Sequence, residues 1–154
     1  MHLFLDIDGV MVPANSWKHP EVLGDGFFAF SHEAVRTLSE MLVEGGHIIL
    51  TSSHRNRYSA EVWKSIFLKR GLMVSGFSLL PQSPVGTSRL SEILNWFNNN
   101  AEPAHFAILD DDKSLNALPP RIKRGLIQTA PLIGLRREHL NSYLEITEKL
   151  IPSL

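Results

Sequence analysis

Two aspartates, one residue apart, directly follow a short apolar run at the start of the chain. The apolar residues 3–5 and Ile7 predict a strand buried on both faces, as in a parallel sheet. Asp6 and Asp8 lie at its carboxyl end, the edge where open α/β sheets bind ligands, and Gly9 lets the chain turn sharply away. Because two close carboxylates repel each other without a cation or a shared proton, the pattern predicts a metal-assisted site with an aspartate as nucleophile or acid/base. The alternative is an Asp-rich turn after a strand.

Polar side chains follow two further predicted strands. Thr51 and Ser52 come directly after the buried run 47–50. Asp110 and Asp111 come after another apolar run further along the chain. In a parallel sheet these strand ends lie on one edge, where carboxylates suit Mg²⁺ and hydroxyls suit a phosphate. The set predicts phosphoryl chemistry with a carboxylate nucleophile, and capping of the following helix is the alternative role for Thr51 and Ser52.

The elements that must position these residues alternate between strand and helix patterns, which favours a parallel sheet with crossover helices. The predicted strands lie near residues 3–7, 47–50, 72–74, 104–109 and 126–129. The predicted helices begin after Ser31, around Val62, around Leu90 and around Leu140, and they end at Gly45-Gly46, Gly71, Asn98-Asn99-Asn100 and near Pro152. The stretch 75–87, with two prolines and two glycines, is predicted to be a connecting loop.

Residues 11–30 form the longest predicted loop. It carries Trp17, Phe27, Phe28 and Phe30, which favour a packed flap over disorder. These aromatic side chains either cover the active site or pack as ordinary flap residues. The insertion is too short for a separate cap domain, so the site is predicted to be open or covered only by this flap.

Composition limits the class of protein. The 154 residues predict one domain over residues 1–154. A net charge of -1 gives no strong evidence for duplex nucleic-acid binding, and the lack of cysteine excludes disulfides and thiolate zinc sites. The first apolar run is too short for a signal peptide, and no apolar stretch is long enough to cross a bilayer. A cytoplasmic protein without membrane partners is therefore predicted.

Three ordered motifs carry a family resemblance. The chain resembles the haloacid dehalogenase (HAD) superfamily, whose motifs match Asp6-Ile7-Asp8-Gly9-Val10, Ile48-Ile49-Leu50-Thr51 and Ile108-Leu109-Asp110-Asp111. Within it the chain is most similar to small capless proteins related to the HAD domain of Swiss Army Knife RNA-repair proteins. The stretches that support this closer likeness are 51–55, 86–93, 108–112 and 134–140.

The resemblance implies a fold and a set of roles. The fold would be a Rossmann-like three-layer α/β sandwich, with a mainly parallel sheet of about five strands. Asp6 would be the nucleophile, and Asp8 would protonate the leaving oxygen and then activate water. Mg²⁺ would be held by Asp6, the backbone carbonyl of Asp8 and one of the pair Asp110 and Asp111. Thr51, with Ser52 beside it, would hydrogen-bond the phosphate.

One expected residue is missing from the pattern. The third motif of the superfamily is usually a lysine, and no lysine occupies a matching place before the fourth strand. Arg89, at the start of the third predicted helix, is the predicted substitute. Arginine binds phosphate but is not interchangeable with lysine, so the efficiency of phosphoryl transfer is open.

Charged residues next to the motifs have two interpretations each. His54, Arg55 and Arg57 follow the second motif and would either touch a substrate or lie on the solvated surface. Asp112 would be a cap or a solvated residue after the metal pair, which is the favoured interpretation, or a further part of the site.

The predicted function follows from the motifs together. It is an Mg²⁺-dependent phosphomonoester hydrolase that acts through an aspartyl-phosphate, on a phosphorylated small molecule such as a nucleotide or on a nucleic-acid end. One alternative is a non-catalytic module that binds metal and phosphate, which the missing lysine favours. The other is a phosphotransferase that passes the group to an acceptor other than water.

Overall fold

The computed structural model describes residues 1–14 and 19–148. A five-stranded, all-parallel sheet forms its centre, in the order β3-β2-β1-β4-β5. The strands are β1 (His2–Leu5), β2 (His47–Leu50), β3 (Gly76–Leu79), β4 (Phe106–Asp110) and β5 (Leu126–Gln128). The helices are α1 (His32–Met41), α2 (Ala60–Lys69), α3 (Arg89–Asn99), α4 (Pro120–Lys123) and α5 (Arg137–Glu148), with 3-10 turns at Arg55–Arg57 and Lys113–Ala117.

The core has two halves, one on each face of the sheet. Along β1, Leu3 and Leu5 pack into one half with α1, α2 and α5, while Phe4 packs into the other with α3 and α4. This alternation follows from the two-residue period of a strand and requires the continuous apolar run seen in the sequence. The predicted three-layer α/β sandwich is confirmed.

The register of the central strands aligns their ends. Leu5 of β1 pairs with Leu50 of β2 on one side and with Leu109 of β4 on the other. The residue after each of these positions therefore lies at the same edge of the sheet. That edge is the carboxyl edge at which ligands bind in such folds.

The third strand lies outside its predicted place. The sequence predicts a strand at 72–74 and a loop at 75–87, but β3 occupies Gly76–Leu79 inside that loop. Leu72 and Val74 are buried without being part of the sheet, so their apolar character reflects packing under the loop. β3 pairs with β2 alone, and an edge strand with half-buried residues lacks the apolar pattern of a central strand.

Serine caps begin the three long crossover helices. The predicted cap Ser31 accepts a hydrogen bond from the backbone N–H of Ala34. Ser59 and Ser88 do the same for α2 and α3. A side-chain oxygen at this position satisfies a backbone N–H that has no partner inside the helix. The predicted end of the last helix near Pro152 lies outside the described residues.

The described part of the flap is packed against the domain. Phe27 and Phe30 are buried in the core, and Phe28 packs against it. Arg70, at the end of α2, binds the carboxylate of Asp25 in a two-pronged ion pair, which lowers the pKa of Asp25 to about 2. Ordinary flap packing is thus confirmed for these aromatic residues, whereas Trp17 lies outside the described residues.

Within residues 1–14 and 19–148, no helix combines the length and the apolar character that crossing a membrane requires.

Candidate active site

Three aspartates meet at the carboxyl edge of the sheet. Asp6 follows β1, Asp110 ends β4 and Asp111 follows it, and their carboxylate oxygens lie within 4.8 Å of one another. The backbone N–H of Asp6 still bonds to Leu109 of β4 at 3.0 Å, so the sheet ladder fixes the position of this residue. Asp110 is fully buried, and Asp6 is only 6% exposed. The convergence predicted from three strand ends is present for these residues.

The turn after Asp8 is built around a glycine. Gly9 has a φ of +79°, a backbone conformation that residues other than glycine rarely adopt. A Cβ placed on Gly9 would collide with the carboxylate of Asp111. The carbonyl of Gly9 accepts a hydrogen bond of 2.6 Å from the buried hydroxyl of Thr129, which follows β5. The turn is therefore held on one side and leaves room for Asp111 on the other.

One arginine nitrogen joins the acidic group to the second motif. Nη1 of Arg89 donates to Asp110 Oδ2 at 2.8 Å and to Thr51 Oγ1 at 3.0 Å, and it lies 3.7 Å from Asp6 Oδ1. Arg89 is the first residue of α3, directly after the Ser88 cap. The predicted substitute for the missing lysine thus lies among the residues it was expected to contact.

The electrostatics of the group leave negative charge uncompensated. Burial and the neighbouring Asp110 raise the pKa of Asp6 well above its usual range, and burial raises the pKa of Asp110 although Arg89 opposes this. Burial by itself would lower the pKa of Arg89, but the neighbouring carboxylates, Asp110 and Asp6 foremost, outweigh burial and the pKa is raised. Three carboxylates against one guanidinium leave two negative charges, which a divalent cation would balance.

The carboxylate oxygens of the three aspartates suit Mg²⁺, but some of them already accept hydrogen bonds and others are free to bind the ion. Both oxygens of Asp110 already accept hydrogen bonds, from the Asp112 N–H and from Arg89. Asp6 Oδ1 accepts one from the N–H of Ile7. In the part of the chain that the structure describes, no hydrogen bond reaches Asp6 Oδ2 or the carboxylate of Asp111. An all-oxygen set with few protein ligands is what Mg²⁺ takes in phosphate enzymes.

A second buried arginine, Arg55, binds the glutamate that lies beside Arg89. Arg55 donates to the carbonyls of Leu80 and Thr51 and forms an ion pair with Glu92 of α3. The other oxygen of Glu92 lies 3.7 Å from Nε of Arg89. The interpretation of Arg55 as solvated surface is wrong, because the residue is 5% exposed and its guanidinium is bound to backbone carbonyls and to Glu92. Its partners Leu80 and Glu92 are distant in sequence, so spacing alone carried no signal for this role.

The second aspartate of the first motif faces outward. The side chain of Asp8 is 48% exposed, and its Oδ2 lies 2.8 Å from Nε2 of His54. His54 is partly buried, with 22% of its side chain exposed, and it faces the acid/base candidate; contact with a substrate stays a prediction. No regular spacing links residue 8 to residue 54, so sequence reasoning could not pair them.

The two hydroxyls of the second motif have different surroundings. Thr51 faces Arg89, whereas Ser52 Oγ accepts a hydrogen bond from the N–H of His54 at 3.1 Å. Neither caps α2, whose cap is Ser59, so the alternative of helix capping is wrong. Both residues are fully buried. The structure thus puts Thr51 in the group and Ser52 in the turn behind it.

The remaining charged neighbours lie at the border of the site. Asp112 caps the 3-10 turn that begins at Lys113, where it accepts a hydrogen bond from Ser114, so the favoured cap interpretation is confirmed. The exposed Arg57 lies over the rings of Phe27 and Tyr58, at 5.7 and 5.8 Å from their centroids. It therefore borders the flap and not the three aspartates.

A comparison of the sequence with models of protein families shows which family the chain belongs to. The model described as the HAD domain in Swiss Army Knife RNA repair proteins matches residues 2–140. The chain belongs to this HAD family. No curated protein matches the chain, and no solved structure matches it. Membership suggests a hydrolase of the HAD type, a superfamily that typically uses Mg²⁺.

The glycine of the first HAD motif provides a direct test of the metal site. Gly9→Ala is expected to weaken Mg²⁺ binding by about 10- to 100-fold, since the new methyl group displaces the Asp111 carboxylate. Calorimetric titration with Mg²⁺ measures this effect. Gly86→Ala is the matched control, because Gly86 has a similar φ of +88° but open space around it. Equal Mg²⁺ affinity in the two variants would place the ion away from Asp111.

Proposed function

We propose that this HAD chain is an Mg²⁺-dependent phosphomonoester hydrolase that works through a phosphorylated Asp6. The observation that carries the proposal is the meeting of Asp6, Asp110 and Asp111 with Arg89 and Thr51 at one sheet edge. Phosphate monoesters hydrolyse extremely slowly without catalysis, so a positioned nucleophile and positive charge are both required. This edge offers both.

In the proposed first step, a carboxylate oxygen of Asp6 attacks phosphorus and the bond to the leaving oxygen breaks. Asp8 gives its proton to that oxygen. In the second step Asp8 takes a proton from water, whose oxygen attacks the phosphorus and frees Asp6 with release of phosphate. Nη1 of Arg89 and the Thr51 hydroxyl would hold the phosphoryl oxygens. Mg²⁺, when bound, supplies charge neutralisation to the phosphoryl group.

We assign the third metal contact to Asp111 in preference to Asp110. The carboxylate of Asp110 is fully buried and already engaged by Arg89 and by the Asp112 N–H. Asp111 is half-buried, and its position depends on the open space above Gly9. Asp6, Asp111 and the carbonyl of Asp8 would then hold the ion, while Asp110 orients Arg89.

For the substrate we propose a phosphorylated RNA end. The support is the printed description of the family, which names RNA repair proteins. A second support is the exposure of Asp8, because the leaving group that it protonates then lies toward solvent, where a long chain fits. Small phosphates such as nucleotides are the competing substrate class.

The rival view is a module that binds metal and phosphate without turnover. Its main support was the missing lysine of the third motif. Arg89 supplies a cationic nitrogen 3.7 Å from Asp6 and bonded to Thr51, which weakens that support. A group-transfer enzyme would use the same first step and differ only in the acceptor.

The experiment is phosphate release by the purified chain from nitrophenyl phosphate and from oligoribonucleotides with a 3′- or 5′-phosphate. Turnover is expected with Mg²⁺ and none with EDTA, with restoration when Mg²⁺ is returned. A preference for one oligonucleotide end over free nucleotides would support the RNA substrate. Mg²⁺ and phosphate binding by calorimetry without turnover of any substrate would establish the binding module. Phosphorylated product in the presence of an added alcohol would identify a phosphotransferase.

A further inference from the structure

We propose that His54 is a positioning residue for Asp8, and that it holds this aspartate in the orientation for protonating the leaving group. The inference rests on the proposed phosphatase function and gives a role to a residue that follows the second HAD motif. It starts from the bond of 2.8 Å between Nε2 of His54 and Oδ2 of Asp8. A carboxylate oxygen accepts, so Nε2 carries the hydrogen.

Asp8 needs such a partner because of where it lies. Its side chain is 48% exposed on a turn, and within the described residues the bond from His54 is the single hydrogen bond to its carboxylate. Proton transfer requires the acid within about 2.6–3.2 Å of the oxygen that it protonates. An unrestrained aspartate on a turn samples several rotamers and loses that reach. With Oδ2 held by His54, Oδ1 is the oxygen that gives its proton to the leaving group.

His54 is itself fixed from two sides. Its backbone N–H donates to Ser52 Oγ, which ties it to the turn behind the second HAD motif. Its ring packs edge-on against Phe27 and Phe28 of the flap, with centroids 5.6 and 5.8 Å away. A ring held in this way presents Nε2 in one direction only. A histidine that merely covered the surface would need none of these contacts.

The flap residues that pack against His54 are themselves bound to α2 and to Arg70 at its end. Arg70 donates to the carbonyls of Phe27 and Phe28 and pairs with Asp25. Phe27 is 1% exposed and packs on Trp63 of α2 at a centroid distance of 4.9 Å. The short insertion that stands where a cap domain would begin thus has a role: it supports the acid/base residue through His54.

The test uses leaving groups of different quality. A nitrophenyl leaving group departs without a proton, whereas an alkyl leaving group such as that of glycerol phosphate requires one. His54→Ala is expected to lower kcat/KM by about 10- to 100-fold for the alkyl ester and by less than about threefold for the nitrophenyl ester. kcat/KM is the measured quantity because it reports the step in which the leaving group departs.

Conservative variants separate the hydrogen bond from the bulk of the ring. Gln places its amide N–H near the position of Nε2, and the shorter Asn does not reach Asp8. His54→Gln is therefore expected to recover most of the alkyl-ester activity and His54→Asn little of it. This comparison also gives the answer on folded protein should His54→Ala fail to fold. The exposed His105, at the opposite edge of the sheet, provides the control variant His105→Ala, which is expected to match the wild type.

The outcomes distinguish this inference from the proposed function. A wild-type chain inactive on both esters and on the oligoribonucleotides with a 3′- or 5′-phosphate would overturn the phosphatase itself. An active wild type with equal losses on both esters in His54→Ala, or with no recovery in His54→Gln, would overturn the positioning role and leave the phosphatase standing.

Discussion

Replacement of Asp6 by asparagine is expected to lower phosphatase turnover by at least about 10⁴-fold. The amide keeps the shape of the side chain but cannot attack phosphorus, and Asp110, which also lies beside Arg89, is fully buried with both oxygens already hydrogen-bonded. Losses of this size are typical when a catalytic nucleophile is removed. Phosphate release under saturating Mg²⁺ measures the effect.

The same change is expected to leave the fold intact or to strengthen it. Asp6 is buried beside Asp110, and both burial and that neighbour raise its pKa, so its ionised form opposes folding in the absence of metal. A neutral amide removes this repulsion. The melting temperature of Asp6→Asn in EDTA should therefore equal or exceed that of the wild type, which separates lost chemistry from lost structure.

Asp112→Asn is the matched control for this prediction. It removes one negative charge from the same edge, and asparagine caps the 3-10 turn as well as aspartate does. Its turnover should stay within a few-fold of the wild type. A similar loss in both variants would mean that charge at the edge, and not a nucleophile at residue 6, governs the rate.

The layout of the sheet was predictable because central parallel strands carry a strong local pattern. β1, β2 and β4 are buried on both faces, so their continuous apolar runs stand out from the surrounding sequence. β3 has neighbours on one side only, and its Gly-Phe-Ser-Leu sequence lacks that pattern. The prediction followed the apolar residues 72–74 instead, because burial under a loop and burial in a strand look alike in a short segment.

The candidate site was predictable where the chemistry falls at strand ends, and not where it depends on tertiary contacts. Asp6 and Thr51 follow β1 and β2, Asp110 ends β4, and the register of these strands brings the three residues together. His54 reaches Asp8 from the start of a 3-10 turn, and Arg55 reaches Glu92 of α3 from the same turn, and no spacing rule describes either contact. Residues that contact the site only through the tertiary fold are therefore the ones that the sequence does not predict.

Arg89→Met is expected to cost about 3–5 kcal/mol of stability and about 10²- to 10³-fold in turnover. Methionine keeps much of the apolar length but removes the guanidinium that lies among three clustered carboxylates, which leaves buried charge unpaired. Urea unfolding in EDTA and phosphate release measure the two effects. Arg121→Met, which breaks the exposed pair with Glu102, is the control and should cost less than about 1 kcal/mol.

Arg89→Lys provides the sharper comparison, because a single nitrogen of Arg89 makes both hydrogen bonds. Nη1 alone reaches Thr51 and Asp110, and a lysine ammonium, with three donors on one nitrogen, can reproduce that pair. Turnover within about tenfold of the wild type is therefore expected. A lysine variant as inactive as Arg89→Met would mean that the phosphate needs the planar guanidinium. If the lysine variant releases phosphate and the wild type does not, Arg89 is the residue that makes this HAD chain a binding module.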